Sequence, residues 1–175
     1  MSILAPFNLK KWIDENRHLL KPPVGNQVIY QDTDFMIMVV GGPNARKEFH
    51  YNEGEEFFYQ LEGDMVLPIR EDGKIRNIEI KEGDIFLLPA RVEHSPQRFE
   101  NTVGLVIERK RKPNELDACI WYCEQCDNEL LRAKFHCHDI VSQLPKLMQL
   151  FYDSAELRTC KKCGTVMEIP TLKKK

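Results

Sequence analysis

The sequence predicts a mainly β fold, a sandwich or barrel of which the jelly roll is one form, preceded by a single helix. Between residues 27 and 109, short apolar or alternating runs recur, and turn-forming stretches with Gly, Asp and Asn separate them. Such short runs at regular spacing are typical of strands in an all-β domain. The predicted strands lie within Phe35–Val40, Phe57–Leu61, Met65–Ile69, Ile75–Ile80, Ile85–Leu88 and Val103–Ile107.

The helix is predicted near the start of the chain. Asn8 can cap it, and Leu9, Trp12 and Ile13 then fall on one face at helical spacing. The Lys-Pro-Pro-Val-Gly-Asn stretch at 21–26 is expected to break regular structure before the strands begin.

After residue 110 the pattern changes, and a connector at 111–114 predicts a soft boundary. We expect a barrel with its N-terminal helix at 1–112 and a C-terminal extension at 113–175. Within the extension, the segment 139–153 has partly helical spacing, and Pro145 is expected to cut or start that helix.

Composition excludes several classes of protein. The formal net charge of −2 lacks the basic surplus of a nucleic-acid binder. No segment approaches the roughly 18 apolar residues of a membrane span. The first residues lack a charged region followed by an apolar run, so we expect no signal peptide and a cytoplasmic protein.

Four of the six cysteines form two Cys-x-x-Cys pairs, Cys123/Cys126 and Cys160/Cys163. Two such pairs can complete a tetrahedral set of four thiolates, which selects zinc or a rubredoxin-like iron. Because a closed set has no open position, we expect a structural role, and Gly164 suits the tight turn after the second pair. The sequence does not choose between the two metals.

Two cysteines remain outside these pairs. Cys119 and Cys137 are expected to be buried packing residues. His136 and His138 flank Cys137 and could form a further metal site, but the four-cysteine set is already complete without them.

A second candidate metal set lies in the β region and comprises His50, Glu56 and His94. Two imidazoles and one carboxylate suit iron(II) and leave coordination positions open for substrate and oxygen. Composition alone favours the alternative that the two histidines are surface-loop residues.

The context of these residues resembles the two motifs of the cupin family. His50 and Glu56 stand at the first motif's spacing, with Gly63 seven residues after Glu56, and Gly83, Pro89 and His94 match the second. The chain departs from these motifs at three positions, which are Asn52 in place of a second His, Arg91 in place of a Gly, and Arg98 in place of an Asn. The resemblance therefore implies three metal ligands rather than four.

Longer stretches resemble the 3-hydroxyanthranilate 3,4-dioxygenase family over nearly the whole chain, including the cysteine-bearing tail of its bacterial and fungal members. The stretches that carry this resemblance are 12–15, 20–26, 40–44, 55–60, 82–89 and 94–98.

This resemblance implies an iron(II) enzyme that opens the ring of 3-hydroxyanthranilate with O2 and gives 2-amino-3-carboxymuconate semialdehyde. It implies that His50, Glu56 and His94 bind the iron, that Arg46 lies near the oxygen site, and that Arg98 and Glu108 contact substrate. It further implies a homodimer, and a product that can close to quinolinate on the route from tryptophan to NAD.

Two alternatives stay open. The chain could be a cupin dioxygenase that acts on another aminophenol or on a thiol. It could instead be a non-enzymatic metal-binding cupin whose four-cysteine module contacts a partner, although the acidic balance counts against nucleic acid.

Overall fold

The computed structural model describes residues 5–22, 25–30 and 33–172. Three α-helices and a 3-10 helix accompany eleven strands in this part of the chain. The helices are α1 (Leu9–Asn16), the 3-10 helix (Arg17–Leu20), α2 (Ile140–Asp153) and α3 (Ala155–Arg158). The strands are β1 (Asn26–Tyr30), β2 (Phe35–Gly41), β3 (Phe49–Tyr51), β4 (Glu56–Glu62), β5 (Met65–Glu71), β6 (Lys74–Ile80), β7 (Ile85–Leu88), β8 (Gln97–Arg98), β9 (Val103–Arg109), β10 (Asp117–Tyr122) and β11 (Glu129–Phe135).

The strands form three antiparallel sheets in the orders β1-β2-β9-β4-β7, β11-β10-β3 and β6-β5-β8. Their buried faces share one apolar core, to which Phe58, Trp121 and Leu67 contribute from the three sheets respectively. This arrangement confirms the predicted mainly β barrel, and each predicted strand is present with its ends shifted by no more than two residues.

The N-terminal helix is also confirmed. The Asn8 side chain caps α1 by accepting a hydrogen bond of 2.9 Å from the backbone N–H of Lys11. Ile13 packs against Val39 and Val103, so α1 covers part of the outer face of the five-stranded sheet. The predicted break at 21–26 is seen as irregular backbone between the 3-10 helix and β1, although Pro23 and Val24 lie outside the described residues.

The chain after residue 112 contributes two strands, β10 and β11, that its sequence pattern does not predict. β10 pairs with β3, in the register Ala118↔Tyr51, Cys119↔His50 and Ile120↔Phe49. The extension therefore supplies the strand beside one of the candidate metal ligands. The division of the chain at 112 falls between β9 and β10, and as a domain boundary it stays a prediction.

The predicted role of Pro145 is wrong, because this residue lies inside α2 and neither starts nor ends the helix. The helix begins at Ile140 because Asp139 caps it, accepting hydrogen bonds from the backbone N–H groups of Val141 and Ser142 at 3.1 and 3.4 Å. Trp121 stacks on Phe151 with ring centroids 4.3 Å apart, which anchors the far end of α2 on β10. Within the described ranges, no helix is long and apolar enough to cross a membrane.

Candidate active site

His50 and His94 are joined directly through their backbones. The N–H of each donates to the carbonyl of the other, at 2.7 Å from His50 and 3.0 Å from His94. His94 follows a loop in which Arg91 has φ of +67°, a left-handed conformation that explains why the cupin motif has glycine there. This pairing places both imidazoles inside the barrel, and the two side chains are almost fully buried.

Glu56 completes the predicted ligand set. Its Oε2 lies 3.0 Å from Nε2 of His94, and Nδ1 of His94 lies 2.9 Å from the carbonyl oxygen of Val92. A donor bond from Nδ1 to that carbonyl leaves the lone pair on Nε2, the state that a metal ligand requires. One ligand atom from each of His50, Glu56 and His94 lies within 4.8 Å of the other two, so a single ion could contact all three.

Electrostatic effects differ among the three side chains. Burial lowers the pKa of His50 in spite of its hydrogen bond to Asp117. Burial also disfavours the charged forms of His94 and Glu56, but their mutual attraction outweighs it and raises the pKa of His94 while lowering that of Glu56. These shifts favour the carboxylate form of Glu56, and Asp117 lies beside His50 as a second negative charge.

Two further charged residues, Asp117 and Arg111, lie behind His50. Oδ2 of Asp117 is 2.8 Å from Nε2 of His50, and Arg111 donates from Nε and Nη2 to the two Asp117 oxygens, each at 2.7 Å. Although burial opposes ionisation, these hydrogen bonds lower the pKa of Asp117 to about 2. The sequence gives no signal for this pair, because a charged residue near a strand end is usually exposed.

Arg98 reaches into the barrel from β8. Its side chain is buried, Nη1 donates to Oε1 of Gln60 at 3.0 Å, and Nε has no partner among the described residues. Burial lowers the pKa of Arg98 to about 10. Gly104 makes room for the guanidinium, since a Cβ at this position would lie 2.6 Å from Nη1.

Arg46 and Glu48 lie at the mouth of the same cavity. Nε of Arg46 is 2.7 Å from Oε1 of Glu48, close enough for an ion pair but outside hydrogen-bond geometry. Glu48 is fully buried, while the Arg46 side chain is 15% exposed. The guanidinium of Arg46 thus has N–H groups that no described residue accepts.

Glu108 lies on β9 directly opposite Glu56. Its Oε2 is 2.6 Å from Nη2 of Arg111, again without well-directed hydrogen-bond geometry. Burial and the nearby Glu56 charge raise the pKa of Glu108 to about 7, against the opposing effect of Arg111. This carboxyl can therefore change its protonation state near neutral pH.

The three predicted metal ligands and the predicted Arg46, Arg98 and Glu108 all line one inner cavity of about 50 Å³. A cavity of about 150 Å³ holds benzene, so an aromatic acid needs more room than this cavity offers. The inner cavity adjoins two wider clefts of about 820 and 550 Å³ that share Asn44 and Arg46 with it. Arg46 and Leu144 of α2 line both the inner cavity and the 550 Å³ cleft, so they stand where the two meet.

The four predicted cysteines converge at a separate place. Sγ of Cys123 lies 3.5 Å from that of Cys163, and Sγ of Cys126 lies 3.6 Å from that of Cys160. Tetrahedral ligands about 2.3 Å from a zinc ion are about 3.8 Å apart, so the spacing suits a four-thiolate site. Gly164 has φ of +77°, as the tight turn after the second pair requires.

Cys119 and Cys137 are both buried, as expected, and burial raises the pKa of each thiol to about 12. His136 and His138 are exposed, and neither belongs to a metal-compatible cluster in the part of the chain that the structure describes.

The sequence pattern does not single out the residues that contact the predicted site residues and hold them in place. These are Asn44, Glu48, Gln60, Gly104, Arg111 and Asp117. Alternation along β4 could have found Gln60, because it shares the inward face with Glu56 and Phe58. The others depend on contacts between distant strands, for which the sequence pattern holds no signal.

Comparison with known proteins gives a consistent result. A family model described as 3-hydroxyanthranilic acid dioxygenase matches residues 1–152. A protein of Xanthomonas euvesicatoria named 3-hydroxyanthranilate 3,4-dioxygenase is 53% identical over 168 residues, which are 96% of this chain and 95% of that protein. A protein of the same name from Jannaschia is 54% identical over 167 residues, covering 95% of this chain and 93% of its own length.

Among solved structures, a cupin-2 domain protein from Shewanella frigidimarina is similar with a TM-score of 0.45 and 20% identity, over 57% of this chain and 92% of that one. From the family model and the two relatives, the chain belongs to the 3-hydroxyanthranilic acid dioxygenase family.

Proposed function

We propose that this protein is an iron(II)-dependent dioxygenase that converts 3-hydroxyanthranilate and O2 to 2-amino-3-carboxymuconate semialdehyde. The relatives carry the name of this activity, and the candidate site has the chemistry to perform it. Both oxygen atoms enter the product as the ring bond between carbons 3 and 4 breaks, so no external reductant is needed.

One observation carries the proposal. Within the described residues, the buried side-chain polar atoms that lack a hydrogen-bond partner belong to Arg46, Glu48, Arg98 and Glu108 alone. Buried polar groups in proteins are nearly always satisfied, so a cluster of unsatisfied ones indicates a ligand. Arg46, Arg98 and Glu108 line the cavity that holds His50, Glu56 and His94.

The donor set suits iron(II). His50, Glu56 and His94 provide two nitrogen ligands and one carboxylate, and Asn52, which donates to Oε2 of Glu56 at 3.3 Å, stands where a fourth ligand would be. Three protein ligands leave positions open for a bidentate substrate and for oxygen. When bound there, iron(II) supplies coordination for the adjacent hydroxyl and amino groups and activates O2.

Arg98 is proposed to hold the substrate carboxylate. A guanidinium binds a carboxylate through two parallel N–H donors, and Nε of Arg98 is free to supply one of them. Burial strengthens the interaction because little water competes inside the barrel. The contact with Gln60 fixes the direction in which the guanidinium points.

Glu108 is proposed to accept the hydrogen bond or the proton from the substrate hydroxyl or amino group. Its position in the cavity wall and its pKa of about 7 suit that role. Arg46, whose Nη2 has no hydrogen-bond partner among the described residues, is proposed to donate to the oxygen-derived atoms or to the substrate near the cavity mouth.

The test is anaerobic loading with Fe(II), then addition of 3-hydroxyanthranilate and air-saturated buffer. We expect a ring-opened chromophore and the uptake of one O2 per substrate, and we expect His50→Ala to lose both while remaining folded. The matched control is Arg109→Lys, which alters a half-buried arginine one residue after Glu108 and should keep full activity. Failure of the iron-loaded wild type to produce the chromophore would refute the proposal.

The four-cysteine site is proposed to hold a second, structural ion, either iron or zinc. Metal analysis of wild type beside Cys123→Ser and His50→Ala counts the ions and assigns each to a site. We expect two ions per chain in wild type and one in each variant. A single ion in wild type that His50→Ala leaves in place would contradict an iron site in the barrel.

Further proposals concern the cell compartment, the oligomeric state and the fate of the product. We propose a cytoplasmic homodimer, whose product closes to quinolinate on the route to NAD. The apolar side chains Ile85 and Leu87 are 67% and 53% exposed on the edge strand β7, and they offer a surface for a second copy. Sedimentation of wild type beside Leu87→Glu tests this, and a monomeric wild type would contradict it.

A further inference from the structure

We propose that Arg111 and Asp117 are positioning residues that join His50 to Glu108, so that one buried unit sets the geometry of both the metal centre and the proton-accepting carboxylate. The inference rests on the proposed function, because it assigns His50 to the metal and Glu108 to the substrate. Neither Arg111 nor Asp117 touches substrate in this scheme, and each acts through its neighbour.

The first step is the contact between Asp117 and His50. Oδ2 of Asp117 lies 2.8 Å from Nε2 of His50, and the Asp117 side chain is completely buried. A carboxylate bonded to a metal-binding histidine fixes the ring plane and makes the imidazole a stronger ligand. Asp117 begins β10, the strand that pairs with His50 through Cys119, so the backbone holds the two side chains in fixed register.

The second step is the pair of hydrogen bonds from Arg111 to Asp117. Nε and Nη2 of Arg111 each donate to one oxygen of Asp117 at 2.7 Å, while Nη1 donates to the carbonyl of Arg109 at 3.0 Å. The guanidinium side chain is only 1% exposed. With both oxygens held from one side, the Asp117 carboxylate cannot rotate, so its contact with His50 has one geometry.

The third step connects Arg111 to Glu108. Nη2 of Arg111 lies 2.6 Å from Oε2 of Glu108, whose side chain is 2% exposed. The same nitrogen therefore serves both carboxylates, which a lysine ammonium could not do while also keeping the two-pronged contact with Asp117. A buried ion-pair network of this kind costs desolvation energy and is weak evidence for stability, so its geometry is better explained by positioning.

The chain offers a matched control in the pair Arg109 and Glu115. It has the same separation of six residues and the same two-pronged geometry, with distances of 2.6 and 2.8 Å, but Arg109 is 33% exposed. The control pair contacts neither His50 nor Glu108 in the described structure.

The test measures metal affinity rather than activity. Full-length protein with its four-cysteine site filled by zinc is titrated with Co(II), and binding at the histidine site is followed by calorimetry and by the visible Co(II) absorption. We expect Asp117→Asn to bind Co(II) about 10- to 100-fold more weakly with an altered absorption spectrum, and Glu115→Gln to match wild type. Unchanged affinity and spectrum in Asp117→Asn would overturn the proposal.

Arg111→Lys is a second test variant, and it tests the proposal even if Asp117→Asn does not fold. It keeps the positive charge and leaves Asp117 in place, and we expect weaker Co(II) binding. In the Asp117→Asn background the same change should have no further effect on affinity, because Arg111 acts through Asp117. Additive losses in the double variant, or normal affinity in Arg111→Lys, would contradict the proposed unit.

The link to Glu108 has its own measurement. In iron-loaded enzyme, Arg111→Lys should lower kcat more than it raises KM, and the loss should be smaller in a Glu108→Gln background, where only the link through Asp117 remains. A loss of the same size in both backgrounds would show that Arg111 does not act through Glu108. Because Co(II) binding needs no substrate, inactivity of wild type toward 3-hydroxyanthranilate would refute the proposed function while leaving the metal-affinity test valid.

Discussion

Glu56 and Glu108 face each other in register across β4 and β9, and both side chains are buried. Two buried carboxyl groups on neighbouring strands do not ionise equally, because a negative charge on one raises the pKa of the other. His94 beside Glu56 outweighs burial and lowers the pKa of Glu56, whereas burial and the charge of Glu56 raise the pKa of Glu108 to about 7. The pair is therefore divided into a permanent carboxylate and a group that can take up a proton near neutrality.

This division predicts the pH dependence of the reaction. As pH falls through about 7, Glu108 gains a proton and can no longer accept one from substrate, so kcat/KM should decline on the acid side. Glu108→Gln should lower kcat by roughly 10²- to 10⁴-fold, and its residual rate should lack that acid limb. Rates of chromophore formation across the pH range test both statements.

The control for this prediction is Glu115→Gln, which removes a carboxylate outside the barrel whose pKa Arg109 lowers to about 2. Its pH profile should coincide with that of wild type. An unchanged acid limb in Glu108→Gln would assign the titration to another group.

Arg98→Ala should discriminate between substrates. The variant loses charge-assisted hydrogen bonds to a carboxylate, so kcat/KM for 3-hydroxyanthranilate should fall by about 100-fold or more. The rate for 2-aminophenol, which lacks the carboxylate, should change little. Equal losses for both compounds would indicate that Arg98 supports the barrel rather than the substrate.

Gly104→Ala should affect substrate binding without unfolding the protein. The added methyl would lie 2.6 Å from Nη1 of Arg98 and 2.9 Å from Oε1 of Gln60, and both are ends of movable side chains. The free energy of unfolding should therefore change by less than about 1 kcal/mol. A displaced guanidinium should raise KM for 3-hydroxyanthranilate by up to about 100-fold. A normal KM would mean that Arg98 adjusts without loss.

Cys123→Ser should remove one metal ion and lower Tm, while Co(II) binding at the histidine site persists. The reason is that a four-thiolate site contributes its binding energy to folding, and one hydroxyl ligand weakens it. Cys119→Ala is the matched control, since that buried thiol lies outside the cluster, and it should keep both ions. Loss of both ions in Cys123→Ser would indicate that the two sites depend on each other.

The sequence predicts local features well because they are encoded over short distances. The strand runs of the barrel, the Asn8 cap and the turn at Gly164 all follow from neighbouring residues, and all are present. The candidate metal set is also encoded over short distances, because motif spacing and turn residues single out His50, Glu56 and His94 before any contact is known.

Other features depend on pairings between distant parts of the chain. The sequence pattern does not predict β10 and β11, because β10 is buried on both faces and β11 is partly buried along most of its length, so neither alternates between a buried and an exposed face. Arg111 and Asp117 are recognisable only once β10 lies beside β3. The prediction that Pro145 cuts or starts a helix is wrong because a capped, well-packed helix tolerates a proline that local propensity disfavours.

The pairing of β10 with β3 has a consequence for any shortened form of this protein. A chain ending at residue 112 would keep His50, Glu56 and His94 but would leave the three-residue β3 as an uncovered sheet edge. Exposed edges recruit other chains, so such a fragment should aggregate rather than act as a minimal enzyme. The core residues after the β10–β11 hairpin, among them Phe151, extend this dependence, so the barrel and the extension should fold as one unit.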